Sequence, residues 1–309
     1  MVFAKSLAAI ALAAAFAGVP AGPARAATAI AVAFSPVNDF LPAMVAKERG
    51  FFASHGLDAT LQVVPLAPSI PGAMRGGSVT IGSITPPAFL QSNENGLDLV
   101  AICGATIQSK KNPTVSVVVR KESGIKSAAD FKGKTVGVPG FNSELDVVFR
   151  KWLKDRHVDL ASVNFREVPF PAMSDQLTGK AVDAVVVLEP FRERIFKSGA
   201  GENLANFFDD VRDNLGFVYW TSTREWATAH PNDVRAFRAS IAEAISYIAK
   251  NPAAAREIET KYLKVAGPAF STYTTDVRAS DLRWYSEVGR DLGMMKKPID
   301  VSRLIFAGK

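Results

Sequence analysis

The sequence predicts an α/β protein of two lobes, each a mostly parallel sheet flanked by helices, with two strand-like stretches carrying the chain between them. Three observations point there. Apolar strand-like runs alternate with helix-like ones along most of the chain, and strands joined by crossover helices build parallel sheets. Beyond the first 26 residues about 280 remain, more than one hydrophobic core normally holds. Finally, "GGSVTIGSITPPA" (76–88) can be laid without gaps on "GKAVDAVVVLEPF" (179–191), matching Gly76 with Gly179, Val79 with Val182 and Pro87 with Pro190. In both blocks a glycine closes a helix, an apolar strand follows, and a proline stands where the next helix starts.

Residues 1–26 read as an export leader, apart from the fold. Lys5 supplies the positive end, "SLAAIALAAAFAGV" the apolar stretch and "PAGPARA" a small-residue cleavage site, with cleavage after Ala26. The apolar stretch is shorter than the about 20 residues that span a membrane. The expected product is exported, soluble and free of lipid, because no cysteine stands directly after the leader to carry one.

The elements then follow in order. "TAIAVAF" is a strand, "LPAMVAKERGFF" a helix, "DATLQVV" a strand followed by a short helix, and "SVTIGSI" a strand leading to a helix from Pro87; "DLVAIC" is the next strand. The alternation resumes with "TVGVPG", "NFREVPF", "QLTG" and "VDAVVVLEPF". Between the two sets, "KKNPTVSVVVRKESG" and "DDVRDNLGFVYWTSTREW" are the candidate crossings, each extended, apolar and flanked by charge. The C-terminal part is helical: Val234, Phe237, Ile241 and Ile248 share one face of a helix opened by His230 and Pro231, more helix follows Pro252, and this part packs back on the first lobe. Residues 27–115 and 219–309 are thereby expected to form one lobe and 116–218 the other.

Composition removes several function classes. The formal charge of +6 falls to +4 once Lys5 and Arg25 leave with the leader, and the basic residues are scattered without interleaved aromatics, which argues against a nucleic-acid partner. Cys103 is the only cysteine and sits in the apolar run "LVAICGA", the setting of a buried, inert thiol. His55, His157 and His230 lie far apart with no ligand spacing, so neither a metal nor another cofactor is called for.

The stretch "KGKTVGVPGFNSELDVVFRKWL" (132–153) is a strand halted by Pro139 and Gly140 and restarted as an amphipathic helix through Leu145, Val148, Phe149 and Trp152. Its Gly133-Lys134-Thr135 precedes the strand instead of opening the helix, and Gly137 and Gly140 make no G-x-G-x-x-G run, which removes a nucleotide loop. The helix should present its first free N–H groups, near Asn142 to Leu145, to an anion or a polar ligand edge beyond the sheet.

Four blocks resemble one family. "VAKERGFFASHGLDATLQVV", "SAADFKGKTVGVPG", "LTGKAVDAVVVLEPF" and "HPNDVRAFRASIAEAISYIAKNP" are similar, in the same order, to the solute-binding proteins of ABC importers, in the branch covering sulfonate, taurine, nitrate and thiamine-precursor binders. The blocks span nearly all of the chain after the leader. The resemblance implies the class II periplasmic binding protein fold with a ligand held between the lobes. It also implies a periplasmic monomer that hands its solute to a permease in the inner membrane.

Ligands of open α/β sheets sit beyond the carboxyl ends of the strands. The turns there are "FSPVND", "GSITPP", "PGFNSE" and "LEPF". Ser35, Asn38, Ser83, Thr85, Asn142 and Ser143 are the candidate hydrogen-bonding groups, with Asp39 beside them; Asn38, Asn142 and Ser143 equally suit helix N-caps. Phe141, Phe191 and Trp220 are either walls of a cleft around an organic group or lobe core, and Phe34 is better read as core. These small polar groups suit a small organic anion such as a sulfonate or carboxylate. Glu189 complicates that reading, since it either pairs with Arg192 or Arg194 or recognises an amine or amino-pyrimidine.

The competing class is an enzyme, because a eukaryotic thiamine-pyrimidine synthase shares the implied fold. That enzyme type carries a cysteine-rich motif absent here, and "GFNSE" is not a G-x-S-x-G elbow, so a non-enzymatic binding protein is expected. An exported sensor module would differ only in its partner.

Overall fold

The structure is a computed structural model that describes residues 26–65 and 67–308. The expected leader, apart from Ala26, lies outside those residues. The strands are β1 (Thr28–Phe34), β2 (Leu57–Val63), β3 (Ile81–Ile84), β4 (Leu99–Gln108), β5 (Val115–Val119), β6 (Thr135–Val138), β7 (Asn164–Glu167), β8 (Ala184–Leu188), β9 (Glu202–Ala205), β10 (Leu215–Thr223) and β11 (Thr272–Tyr273). The helices are α1 (Leu41–Glu48), α2 (Phe51–Ser54), α3 (Ile70–Arg75), α4 (Pro86–Glu94), α5 (Glu144–Lys154), α6 (Met173–Thr178), α7 (Phe191–Ser198), α8 (Phe207–Val211), α9 (Arg224–Ala229), α10 (Pro231–Lys250), α11 (Pro252–Leu263) and α12 (Ala279–Asp291).

Two sheets result, one of six strands in the order β11-β4-β10-β3-β1-β2 and one of five in the order β7-β6-β8-β5-β9. The expectation of mostly parallel sheets holds for strand direction: β1 to β4 run together, as do β6 to β9. The reversed strands are β5 in one sheet and β10 and β11 in the other. The cause for β5 and β10 is topological. The chain crosses between sheets at 109–114 and at 212–214, and a strand entered at that end must run against those that arrive there. The two crossings are tied side by side, with the Lys110 N–H donating to Asp213 Oδ1 at 2.8 Å.

The paired glycine blocks fold alike. Gly76 and Gly179 are the C-caps of α3 and α6, and β3 and β8 each begin five residues later. The register then drifts, since α4 starts at Pro86 whereas Pro190 is the N-cap of α7.

Around the larger sheet, Trp220 on β10 packs edge-on to Phe34, Phe40 and Phe237 with centroids 6.3, 5.2 and 5.5 Å away. Phe237 of α10 also stacks on Phe52 of α2, so the long C-terminal helix covers this sheet, with Val234, Ile241 and Ile248 buried beside it. The helix expected over 41–52 is broken in two because Gly50 takes a left-handed conformation, φ 74°, which glycine adopts without strain. In the smaller sheet Phe149 and Trp152 of α5 stack at 5.7 Å over Phe131. Cys103 is buried in β4, and burial pushes its thiol up to about 12, which leaves it protonated and unreactive.

Candidate functional site

The carboxyl ends of β1, β3, β6 and β8 converge on one enclosed cavity between the sheets. Ser35, Asp39, Ser83 and Thr85 line it from the six-stranded side, with Val37, Phe40, Pro65, Ala67 and Val218; Pro139, Ser143, Glu144, Phe170 and Leu188 line it from the other. Its volume is about 30 Å³, room for a water or two. The two sides touch at its rim, where a Cβ added to Gly140 would stand 2.6 Å from the Pro68 ring.

Local sequence explains how each polar group reaches the cavity. Pro36 and Pro42 bracket a 3-10 turn, Asn38–Phe40, that swings Asp39 inward behind β1. Thr85 is the extended N-cap of α4, fixed by Pro86 and Pro87. Ser143 is the extended N-cap of α5, its Oγ accepting from the Asp146 N–H at 3.3 Å, and this places Glu144 at the first helical position facing in. Replacing Ser143 by Ala removes that cap, and Ser143→Ala is expected to cost about 1 kcal/mol, or about 2–4 °C in Tm, in calorimetry of the ligand-free protein. An unchanged Tm would show that the hydroxyl is not acting as a cap.

Two carboxyl groups dominate the electrostatics. Asp39 and Glu144 are both buried, and Asp39 Oδ2 and Glu144 Oε2 have no well-formed hydrogen-bond partner; nor do the hydroxyls of Ser35, Thr85 and Thr106. Burial pushes Glu144 up to about 8, and the Asp39 carboxylate pushes it the same way. Burial raises Asp39 to about 6, against a restraining contact from Ser271. Ser271 Oγ lies 2.6 Å from Asp39 Oδ1 and 2.9 Å from Asn38 Oδ1, so its single proton serves one of them at a time. Among the described residues, no Lys, Arg or His lines the cavity.

The turn that leads into α5 is tied down by acceptors of this chain. The Phe141 N–H donates to Glu167 Oε1 at 2.7 Å and the Asn142 N–H to Asp146 Oδ2 at 2.9 Å. Asn142 takes φ 62°, a left-handed turn residue.

Of the residues singled out from sequence, the cavity brings together Ser35, Asp39, Ser83, Thr85 and Ser143. It does not include the others. Asn38 ties the turn after β1 to the segment before β11, donating to the Ala269 carbonyl at 3.2 Å. Phe141 is 41% exposed beyond the rim. Phe191 stacks behind Phe170, with centroids 5.8 Å apart. Trp220 and Phe34 belong to the aromatic core of the larger sheet. Glu189 is buried against Arg192, its Oε1 accepting from Arg192 Nε at 2.7 Å, while Arg192 also reaches Ser116. Glu144 was missed: an acid in the first turn of a helix reads as a partner of the helix dipole, and nothing in its spacing shows that it turns inward.

The family model described as "NMT1/THI5 like" matches residues 37–255. A Brucella abortus (strain 2308) chain designated a binding protein is 29% identical over 225 residues, covering 72% of this chain and 67% of that one. The nitrate/nitrite binding protein NrtA of Nostoc sp. PCC 7120 is 25% identical over 233 residues, 68% of this chain and 52% of its own. Among solved structures, the alkanesulfonate-binding protein SsuA from Xanthomonas axonopodis pv. citri, bound to MOPS, superposes with a TM-score of 0.77 at 15% identity, covering 92% of this chain and 99% of that one. The desulfurization enzyme DSZB superposes with a TM-score of 0.64 at 14% identity, covering 90% and 96%. At these identities the superpositions show a common fold, the periplasmic binding protein fold, and nothing about ligands.

Proposed function

We propose, for a chain that belongs to the NMT1/THI5-like family, that it is the solute-capturing component of an ABC importer: a periplasmic protein that closes around a small organic solute and delivers it to a membrane permease. The observation that carries this is the cavity, lined by both polar and apolar side chains, at the converging strand ends of both sheets, with the described chain crossing between them at 109–114 and 212–214. Two bodies joined by two short crossings can close on a solute without repacking either core. The division proposed falls at the crossings 109–114 and 212–214, a few residues from the expected 27–115, 116–218 and 219–309, so that β5 from Val115 and β10 from Leu215 each lie whole in one lobe; it follows the leader over 1–26 that would direct export. Relatives named for nitrate/nitrite binding and for bicarbonate transport support a transport role.

The protein is proposed to bind as a monomer and to catalyse no reaction. The fold alone does not decide the second point, because DSZB shares it.

The test is a thermal-shift screen of sulfonates, carboxylates, nitrate, amines and amino-pyrimidines, each followed for consumption. A cognate solute at 100 times its Kd adds about 2.7 kcal/mol, or roughly 5–10 °C in Tm, and is recovered unchanged. Turnover of the stabilising compound would sink the reading, as would the absence of any stabilising compound.

A further inference from the structure

We infer that the captured solute presents a cationic or N–H-donating nitrogen group, such as an amine, amidine or amino-heterocycle, to the pair formed by Asp39 and Glu144. This deepens the proposed function and rests on the cavity being the solute site. The two acids enter from opposite sides, Asp39 from the turn after β1 and Glu144 from the start of α5, so closing the cleft is what brings them together. Each keeps one buried oxygen with no well-formed partner, Asp39 Oδ2 and Glu144 Oε2. The hydroxyls of Thr106 and Thr85 bear on the two carboxyls, but hydroxyls bring no charge, and an ionised carboxylate buried without an opposite charge is costly.

Nothing else in the site supplies the missing positive charge. Among the described residues no Lys, Arg or His lines the cavity, and the charged neighbour bearing on Glu144 is Asp39. The groups facing Asp39 are Ser271, Thr106 and Tyr273 of β11; Tyr285 of α12 is the other titratable group coupled to Glu144. Burial raises both tyrosines well above their usual value, so they stay neutral.

An anion finds little to bind. The N–H groups of the turn before α5 are given to Glu167 and Asp146, and the Glu144 N–H at the first helical position bears on that residue's own carboxyl. An anionic solute would therefore add another negative charge to a cavity already holding two acids, and would need a proton to come with it. A nitrogen cation instead meets two carboxyl groups, with the Ser35 hydroxyl to complete its shell.

The two cases differ in sign with pH. A cation favours the ionised carboxyls, so its Kd should fall as pH rises through the range in which Asp39 (about 6) and Glu144 (about 8) ionise. An anion held by protonated carboxyls would show the reverse.

The experiment uses matched probes on the full chain, ethylammonium, acetamidinium and 4-aminopyrimidine against ethanesulfonate, acetate and nitrate. Each is titrated between pH 5.5 and 8.5 by thermal shift and calorimetry. At least one nitrogen probe should bind, more tightly toward pH 8. Asp39→Asn and Glu144→Gln should each weaken it by at least about ten-fold. Both substitutions are isosteric, and removing a member of a buried like-charge pair should leave the ligand-free Tm at pH 8 unchanged or higher, which separates lost binding from lost folding. Binding of the anions alone, affinity that falls with rising pH, or variants within two-fold of the parent would overturn the inference. So would silence from all three nitrogen probes. An anion found by the broader screen would leave the solute-capture reading standing and remove only this one.

Discussion

Gly140→Val is expected to weaken solute capture by roughly 5- to 150-fold while leaving the ligand-free Tm nearly unchanged. A Cβ at position 140 would stand 2.6 and 2.7 Å from Cγ and Cδ of Pro68, well inside contact distance, and the proline ring cannot swing aside. Gly140 follows β6 of the five-stranded sheet and Pro68 precedes α3 beside the six-stranded one, so the clash arises only when the two sides meet. Overpacking of this kind costs about 1–3 kcal/mol, and here it falls on the closed form alone, which converts to the stated range at about 1.4 kcal/mol per decade. Calorimetric Kd and Tm, measured together, check it. A Kd within two-fold of the parent would mean that solute is held without this closure.

Trp220→Ala is expected to lower the unfolding free energy by about 3–5 kcal/mol, roughly 6–20 °C in Tm. The indole is 1% exposed and is the shared neighbour of Phe34, Phe40 and Phe237, so its loss opens a cavity between β10, the turn after β1 and α10. Chemical denaturation gives the measurement. A loss below about 1 kcal/mol, joined to a large loss of affinity, would return Trp220 to the role of a wall against the ligand.

The contrast between these positions shows what the sequence could disclose. β1 spans the run "TAIAVAF" that alternation marks out, and Val234, Phe237, Ile241 and Ile248 all lie buried along α10, because periodicity reports which face is covered. The turns at the strand ends were legible for the same reason: topology places them. Side-chain direction within a turn was not. Ser143 and Glu144 are neighbours in one turn, both plausible as helix-start residues, and only the extended backbone at Ser143 sends the acid inward. Glu189 was open between an arginine and a ligand, and the structure pairs it with Arg192 at 2.7 Å. Aromatic residues beside a cleft carry no mark that separates wall from core, which is why Trp220 and Phe191 stood in the site on sequence grounds. The helix expected after Pro252 is two helices, α11 and α12.

β10 lies between β4 and β3 in the six-stranded sheet, yet it follows the whole five-stranded sheet in the chain. During folding, therefore, the larger sheet cannot assemble by adding strands in sequence. Its middle stays vacant until Leu215–Thr223 is captured by Leu99–Gln108, which closes a loop containing the whole of the other sheet. The five-stranded sheet has no such dependence, since its strands run consecutively from β5 to β9. Local contacts form faster than remote ones, so the smaller sheet should organise first and, by drawing the ends of that loop together, shorten the search that seats β10.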